Sequence, residues 1–183
     1  MDKKKFNIYY NVYVKQISYL LKLLGININT VPVLDIAREK TSKVIGDRSF
    51  SKNKKIVNIF GNFTIDQFHK NNIATVIKHI PGHGLGKVDS HYKLPIINNS
   101  NQYLLKNDFL TFKNKNSLFA MTGHLLFKKI DSLNSVTHSK KIIKLIIKSA
   151  EKFLHSLPED YFSEPSCKPK LESYMSWHII TCY

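Results

Sequence analysis

The chain has 183 residues, 43% of them hydrophobic, which suffices for one globular domain with a real core and is too apolar for a disordered polypeptide. Its formal net charge is +15, yet of its 28 basic residues only Arg38 and Arg48 are arginine, and no basic run exceeds the lysines at 3–5. Phosphate and base recognition favour the planar arginine fork. The abundance of Lys, Ile, Asn, Tyr and Phe, all with A/T-rich codons, accounts for the charge without a polyanionic ligand, so no nucleic-acid partner is expected.

Cys167 and Cys182 have neither metal-ligand spacing nor the density of a disulfide framework, which fits a reducing compartment. Lys15, Gln16 and Lys22 interrupt any apolar core of a secretory leader, and no stretch is long enough to span a bilayer. A cytoplasmic location without a membrane partner is the expectation.

In chain order, apolar groups at Ile8, Val12, Ile17, Leu20, Leu21 and Leu24 recur mostly at helical spacing, predicting a helix over 5–24 stopped by Gly25. Residues 28–34 read as a strand, with a bulge or early end expected at Pro32. Ser51 is the predicted cap of a helix whose apolar face is Ile56, Ile59, Phe60, Phe63 and Phe68, and Asn71-Asn72 ends it. A second strand follows at 73–79. A helical pattern at 101–113 uses Leu104, Leu105, Phe109 and Phe112. A third strand lies at 117–122, and another amphipathic helix is predicted over 138–156. Strands and helices that alternate in this way predict an α/β fold with a parallel sheet and right-handed crossovers. Residues 149–183 differ in composition, holding both cysteines, Trp177 and Pro158, Pro165 and Pro169 but no asparagine. The expected division is therefore a domain over 1–148 and a divergent tail over 149–183.

The second strand runs straight into Lys78-His79-Ile80-Pro81-Gly82-His83-Gly84, and Asp89-Ser90-His91 follow after four residues. Three imidazoles, a carboxylate and an ammonium thus crowd into one Gly-rich loop at a strand's carboxyl end, where α/β enzymes place their chemistry. Gly82, Gly84 and Gly86 let the loop fold back sharply or move. An Asp near a His fixes its tautomer, as in a catalytic triad. The spacings H-x3-H and D-x-H over His79, His83, Asp89 and His91 also allow a metal reading. Asp35 reads as a turn cap or a partner of Arg48, and His83 as a ring that hydrogen-bonds the loop.

These residues resemble glycoside hydrolase family 3, specifically its bacterial β-N-acetylhexosaminidases of the NagZ type. Pro32-Val33-Leu34-Asp35-Ile36 with Ile45-Gly46-Asp47-Arg48-Ser49-Phe50 is similar to the family's PVLDV and IGxRSF blocks. Residues 78–91 resemble KHFPGHG-x4-DSH with Ile80 in place of Phe, and Met121-Thr122-Gly123-His124 resembles the family's Met-Thr/Pro-Ala-His block with Gly123 in place of Ala. The resemblance covers roughly residues 10–148. It implies a (β/α)8 TIM barrel of which this chain holds a part, about three parallel strands with flanking helices. It also implies retaining hydrolysis of terminal β-linked N-acetylglucosamine in peptidoglycan recycling. By position His91 is then the catalytic acid/base and Asp89 its orienting partner, while Arg48, Lys78 and His79 bind the sugar. No cofactor and no metal is implied, and the metal reading gives way to this one.

The family's nucleophile sits on a Ser-Asp-Asp stretch after the next strand, and this chain has no such stretch. Glu159 and Asp160 lie in an unrelated context. An earlier segment of the family, with a sugar-contacting aspartate and arginine, has no counterpart here either. Three readings stay open at this point. The chain is a glycosidase, whole or complemented by another chain that carries the rest of the barrel; or a truncated, inactive remnant; or a non-catalytic sugar-binding fragment.

Overall fold

The computed structural model describes residues 3–39, 44–90, 92–145 and 178–180. Helix α1 (Lys3–Leu23) is closed by Gly25 at φ +71°, with Ile26 N–H donating to Leu21 O at 2.9 Å and Gly25 N–H to Lys22 O at 3.0 Å. That is the Schellman arrangement, and it needs a left-handed residue that glycine supplies freely. The core face of α1 differs from the expected one. Val14 and Ser18 are buried, with Tyr10, Ile17 and Leu21 beside them, whereas Ile8, Val12, Leu20 and Leu24 are exposed. The helix is apolar on two faces, and periodicity does not say which one meets the sheet.

Strand β1 (Ile28–Asn29) pairs in parallel with the start of β2 (Ala74–Ile80) and then stops, as expected ahead of Pro32. Pairing resumes for one bridge, Val33 to Lys78, with Leu34 N–H donating to Lys78 O at 2.8 Å. Between them in sequence runs α2 (Lys54–Lys70). Its cap is Asn53, whose side chain accepts from Lys55 N–H at 2.9 Å; Ser51 accepts instead from Asn53 N–H. Its buried face is Val57, Gly61, Thr64, Ile65 and Phe68, while Ile56 and Ile59 are exposed. Gly61 lets the helix lie directly on Leu34, since a Cβ there would run into that side chain. Phe60 and Phe63, expected in the core, pack against Phe6 and Tyr10 of α1.

After β2 come a short strand β3 (Ile96–Ile97), helix α3 (Asn101–Lys106) and a 3-10 turn at Phe109–Phe112, in place of one helix over 101–113. Strand β4 (Phe119–Thr122) joins β2 in parallel, and β5 (Leu126–Phe127) pairs with β3 in a separate two-stranded ribbon. Residues 140–145 are helical, and the remainder of the helix predicted over 138–156 lies outside the described residues. Strand β6 (His178–Ile180) adds to the free side of β4, so the main sheet runs β1-β2-β4-β6 with every pair parallel. The three predicted strands are present, and the tail supplies a fourth. Leu34, Ile65, Ile77, Ala120, Leu125 and Phe127 anchor one core between sheet and helices. Each fully buried large side chain contributes about 1.5–3 kcal/mol. Among the described residues the sheet is open at both edges, as a part of a barrel must be.

Candidate active site

Just past the Val33–Lys78 bridge, Asp35, which is 1% exposed, meets the carboxyl end of β2. Its Oδ2 accepts from His79 Nδ1 at 2.7 Å and from His79 N–H at 3.2 Å, and its Oδ1 accepts from His83 N–H at 2.6 Å. The register between β2 and β4 slips at His79, where Lys78 faces Met121 and Ile80 already faces Thr122. Such a bulge re-aims one side chain out of the ladder, and here it delivers His79 to Asp35. The expectation that Asp35 caps a turn or bonds Arg48 is thus replaced: it ties a strand end to the motif loop.

The loop is packed against what surrounds it. Gly82 sits at φ +137°, and a Cβ there would stand 2.9 Å from Asp108 Cβ. At Gly84 a Cβ would collide with the Ile36 carbonyl oxygen. The glycines at these two positions serve a sharp fold-back. His83 is 3% exposed, and neither ring nitrogen has a hydrogen-bond partner among the described residues, so its grip on the loop runs through its backbone N–H. Burial pushes its pKa below the usual imidazole value, against the opposing pull of Asp35 and Asp89. His83 is therefore a neutral, buried ring that stacks edge-on to His79 at 5.8 Å. Gly123 brings the end of β4 under both rings, since a Cβ there would lie 3.3 Å from His79 Cβ and 3.5 Å from His83 Cδ2.

Beneath the loop Arg38 holds Asp108, with Nη2 at 2.9 Å from each carboxylate oxygen and Nη1 at 3.2 Å from Tyr103 Oη. Burial raises the pKa of Asp108 despite the guanidinium beside it. Residue-level reading missed this pair, because nothing in the sequence links positions so far apart. The signal for Asp35 was present in the Pro32–Ile36 block, although its partner was not.

Of the predicted site residues, Lys78 and His79 adjoin at the end of β2, and Lys78 Nζ donates to Thr30 Oγ1 at 3.3 Å. Arg48 is exposed, and its guanidinium turns back on the Val44 carbonyl. Asp89 is half-buried, with its carbonyl accepting from Tyr92 N–H and Lys93 N–H at 3.1 and 3.0 Å. His91 lies outside the described residues. His124 is half-buried and 3.4 Å from Thr137 Oγ1 through Nδ1.

An open parallel sheet with flanking helices, and polar groups gathered where its strands end, is the architecture of a barrel enzyme's active face. Residues 9–155 match the glycosyl hydrolase family 3 N-terminal domain, and the chain belongs to that family. It is 33% identical over 142 residues to a beta-hexosaminidase of Haemophilus influenzae, covering 75% of this chain and 39% of that protein. Among solved structures it superposes on zinc-bound CbsA from Thermotoga neapolitana with a TM-score of 0.71 and 32% identity, over 81% of this chain and 32% of that one. It also superposes on NagZ from Neisseria gonorrhoeae in complex with N-trifluoroacetyl-D-glucosamine, with a TM-score of 0.68 and 26% identity, over 75% of this chain and 42% of that one. The chain therefore spans well under half the length of these relatives.

Proposed function

We propose that this chain carries the sugar-gripping and proton-donating part of a β-N-acetylhexosaminidase site that acts on saccharides ending in β-linked N-acetylglucosamine. The observation that carries the reading is the Asp35–His79 pair at the mouth of the sheet, with Lys78 beside it and the Asp89 loop above. Lys78 is an ammonium donor, and His79, with Nδ1 engaged by Asp35, offers its other ring nitrogen to a sugar hydroxyl. In this reading His91 protonates the leaving oxygen and later activates water, oriented by Asp89, in a retaining mechanism. Arg48 completes the sugar contacts once its loop turns inward. A cytoplasmic role in peptidoglycan recycling belongs to the same reading.

Among the described residues, the two buried carboxylates on this face are not placed to attack. Asp35 is buried and fully engaged, and Asp108 is buried against Arg38, so neither can reach an anomeric carbon. General acid catalysis by itself contributes about 10²–10⁴-fold, far short of what glycoside cleavage requires. By itself the chain is accordingly a sugar-binding part that does not turn over, and the remainder of a barrel, on this polypeptide or another, would have to supply the nucleophile. The test is release of the aryl alcohol from an aryl β-N-acetylglucosaminide by the purified chain, with ligand-observed NMR of N-acetylglucosamine in parallel. Expected are no turnover above background and weak binding that disappears in Lys78→Ala and His79→Ala. Turnover that vanishes in His91→Ala would overturn the claim of inactivity, and absent binding would overturn the sugar reading.

A further inference from the structure

We infer that Asp35 is a positioning residue with two simultaneous tasks: it fixes the tautomer of His79, and it pins the base of the loop that bears Asp89. The inference deepens the sugar-site reading above and rests on it for the identity of the ligand, though not for its geometry. His79 Nδ1 lies 2.7 Å from Asp35 Oδ2, and a carboxylate oxygen only accepts, so Nδ1 carries a hydrogen, and in the neutral ring Nε2 is then the acceptor. A ligand group that meets Nε2 must then be a donor, such as a hydroxyl. On the other side Oδ1 accepts from His83 N–H at 2.6 Å and holds the first turn of the loop against the segment that follows the Val33 bridge.

Both tasks need acceptors on both arms of one planar group, and among side chains of this length only a carboxylate has them. Asparagine has one acceptor and one donor. If its oxygen faces His79, its amide group confronts the His83 N–H. If its oxygen faces His83, its amide group donates to His79 Nδ1 and drives the ring into the opposite tautomer. The sugar-contacting ring and the acid/base loop are therefore not independent, because one buried carboxylate sets both.

The test is ¹⁵N NMR of the histidine rings, with amide hydrogen exchange, on the whole chain and on Asp35→Asn. The wild type should show His79 protonated at Nδ1. The variant should either switch that ring to the Nε2–H form or keep it and exchange the amides of 82–90 about tenfold faster or more, the size expected for loss of a charge-assisted hydrogen bond. Wild-type His79 protonated at Nε2 overturns the inference, and so does a folded variant unchanged in both readouts. Should the variant not fold, the wild-type tautomer and slow exchange at His83 N–H still decide it. Neither readout involves a sugar, so a failed glycosidase reading would leave them unaffected.

Discussion

Lys115 illustrates how much a single buried charge matters in so basic a chain. It is 3% exposed, and its Nζ donates to Asn58 Oδ1 at 2.8 Å and to Lys113 O at 3.4 Å. Burial lowers its pKa to about 8. Because the folded value lies below the unfolded one of about 10.4, the unfolded chain binds more protons between those values, and stability rises with pH across that window. Below pH 8 the ammonium costs roughly 3 kcal/mol by the same linkage. Lys115→Met should therefore be more stable at pH 7 by roughly 2 kcal/mol, with the gap narrowing as pH passes 8 towards 10. Urea unfolding at the two ends of that range measures it, and a gap independent of pH would refute the argument. Nothing in the sequence marks Lys115 among so many lysines, because burial is decided by α2 closing over it. The motif residues were legible for the opposite reason: Lys78, His79 and Asp89 sit in a local pattern whose meaning does not depend on distant packing.

Elements were legible wherever a backbone signal was local. Gly25 and Asn71-Asn72 end α1 and α2 as read, and Pro32 cuts β1 short. Faces were not, since α2 turns Val57, Gly61 and Ile65 to the sheet and leaves Ile56 and Ile59 in solvent. Gly61 is where the helix lies directly on Leu34, since a Cβ there would meet that side chain. The same logic gives a test for the motif loop. Gly84→Ala places a methyl group against the Ile36 carbonyl, so the loop must lift off the Asp35–Ile36 segment. The expected cost is about 1–3 kcal/mol, seen in thermal or urea unfolding. Gly25→Ala is a useful comparison, because no atom lies within 4 Å of its would-be Cβ and only the left-handed backbone resists. If Gly84→Ala proved the milder of the two, tight packing would not be what that glycine serves.

At the scale of the whole molecule the chain is an open segment of a barrel whose outer surface is unusually apolar. On α1, Ile8, Tyr9, Val12, Tyr13, Tyr19, Leu20 and Leu23 are all more than half exposed. Contiguous patches of this kind lower solubility, and the high positive charge works against that. Charge-introducing changes on this face, Leu20→Glu with Leu23→Lys, should leave the melting temperature within a degree or two, since surface changes usually stay within about 0.5 kcal/mol. They should raise the concentration at which the protein begins to associate, measured by light scattering. An unchanged onset would place the association elsewhere, at the sheet edges being the alternative. The fold class was readable from the alternation of elements, and membership of the family from three short blocks. The place of the tail in the sheet was not, because three residues, His178–Ile180, are too few to announce a strand.

That fourth strand has a consequence for how the protein comes into being. Every described residue of the site precedes residue 125, and β1, β2 and β4 can pair as soon as β4 has left the ribosome. The outer edge of β4 finds its partner only when His178 arrives opposite Phe119. Pairing across so long a stretch is slow, because loop closure must precede any contact that rewards it. During synthesis, then, the site-bearing part stands assembled beside a bare strand edge, and the arrival of His178–Ile180 decides whether that edge is covered or left to another chain.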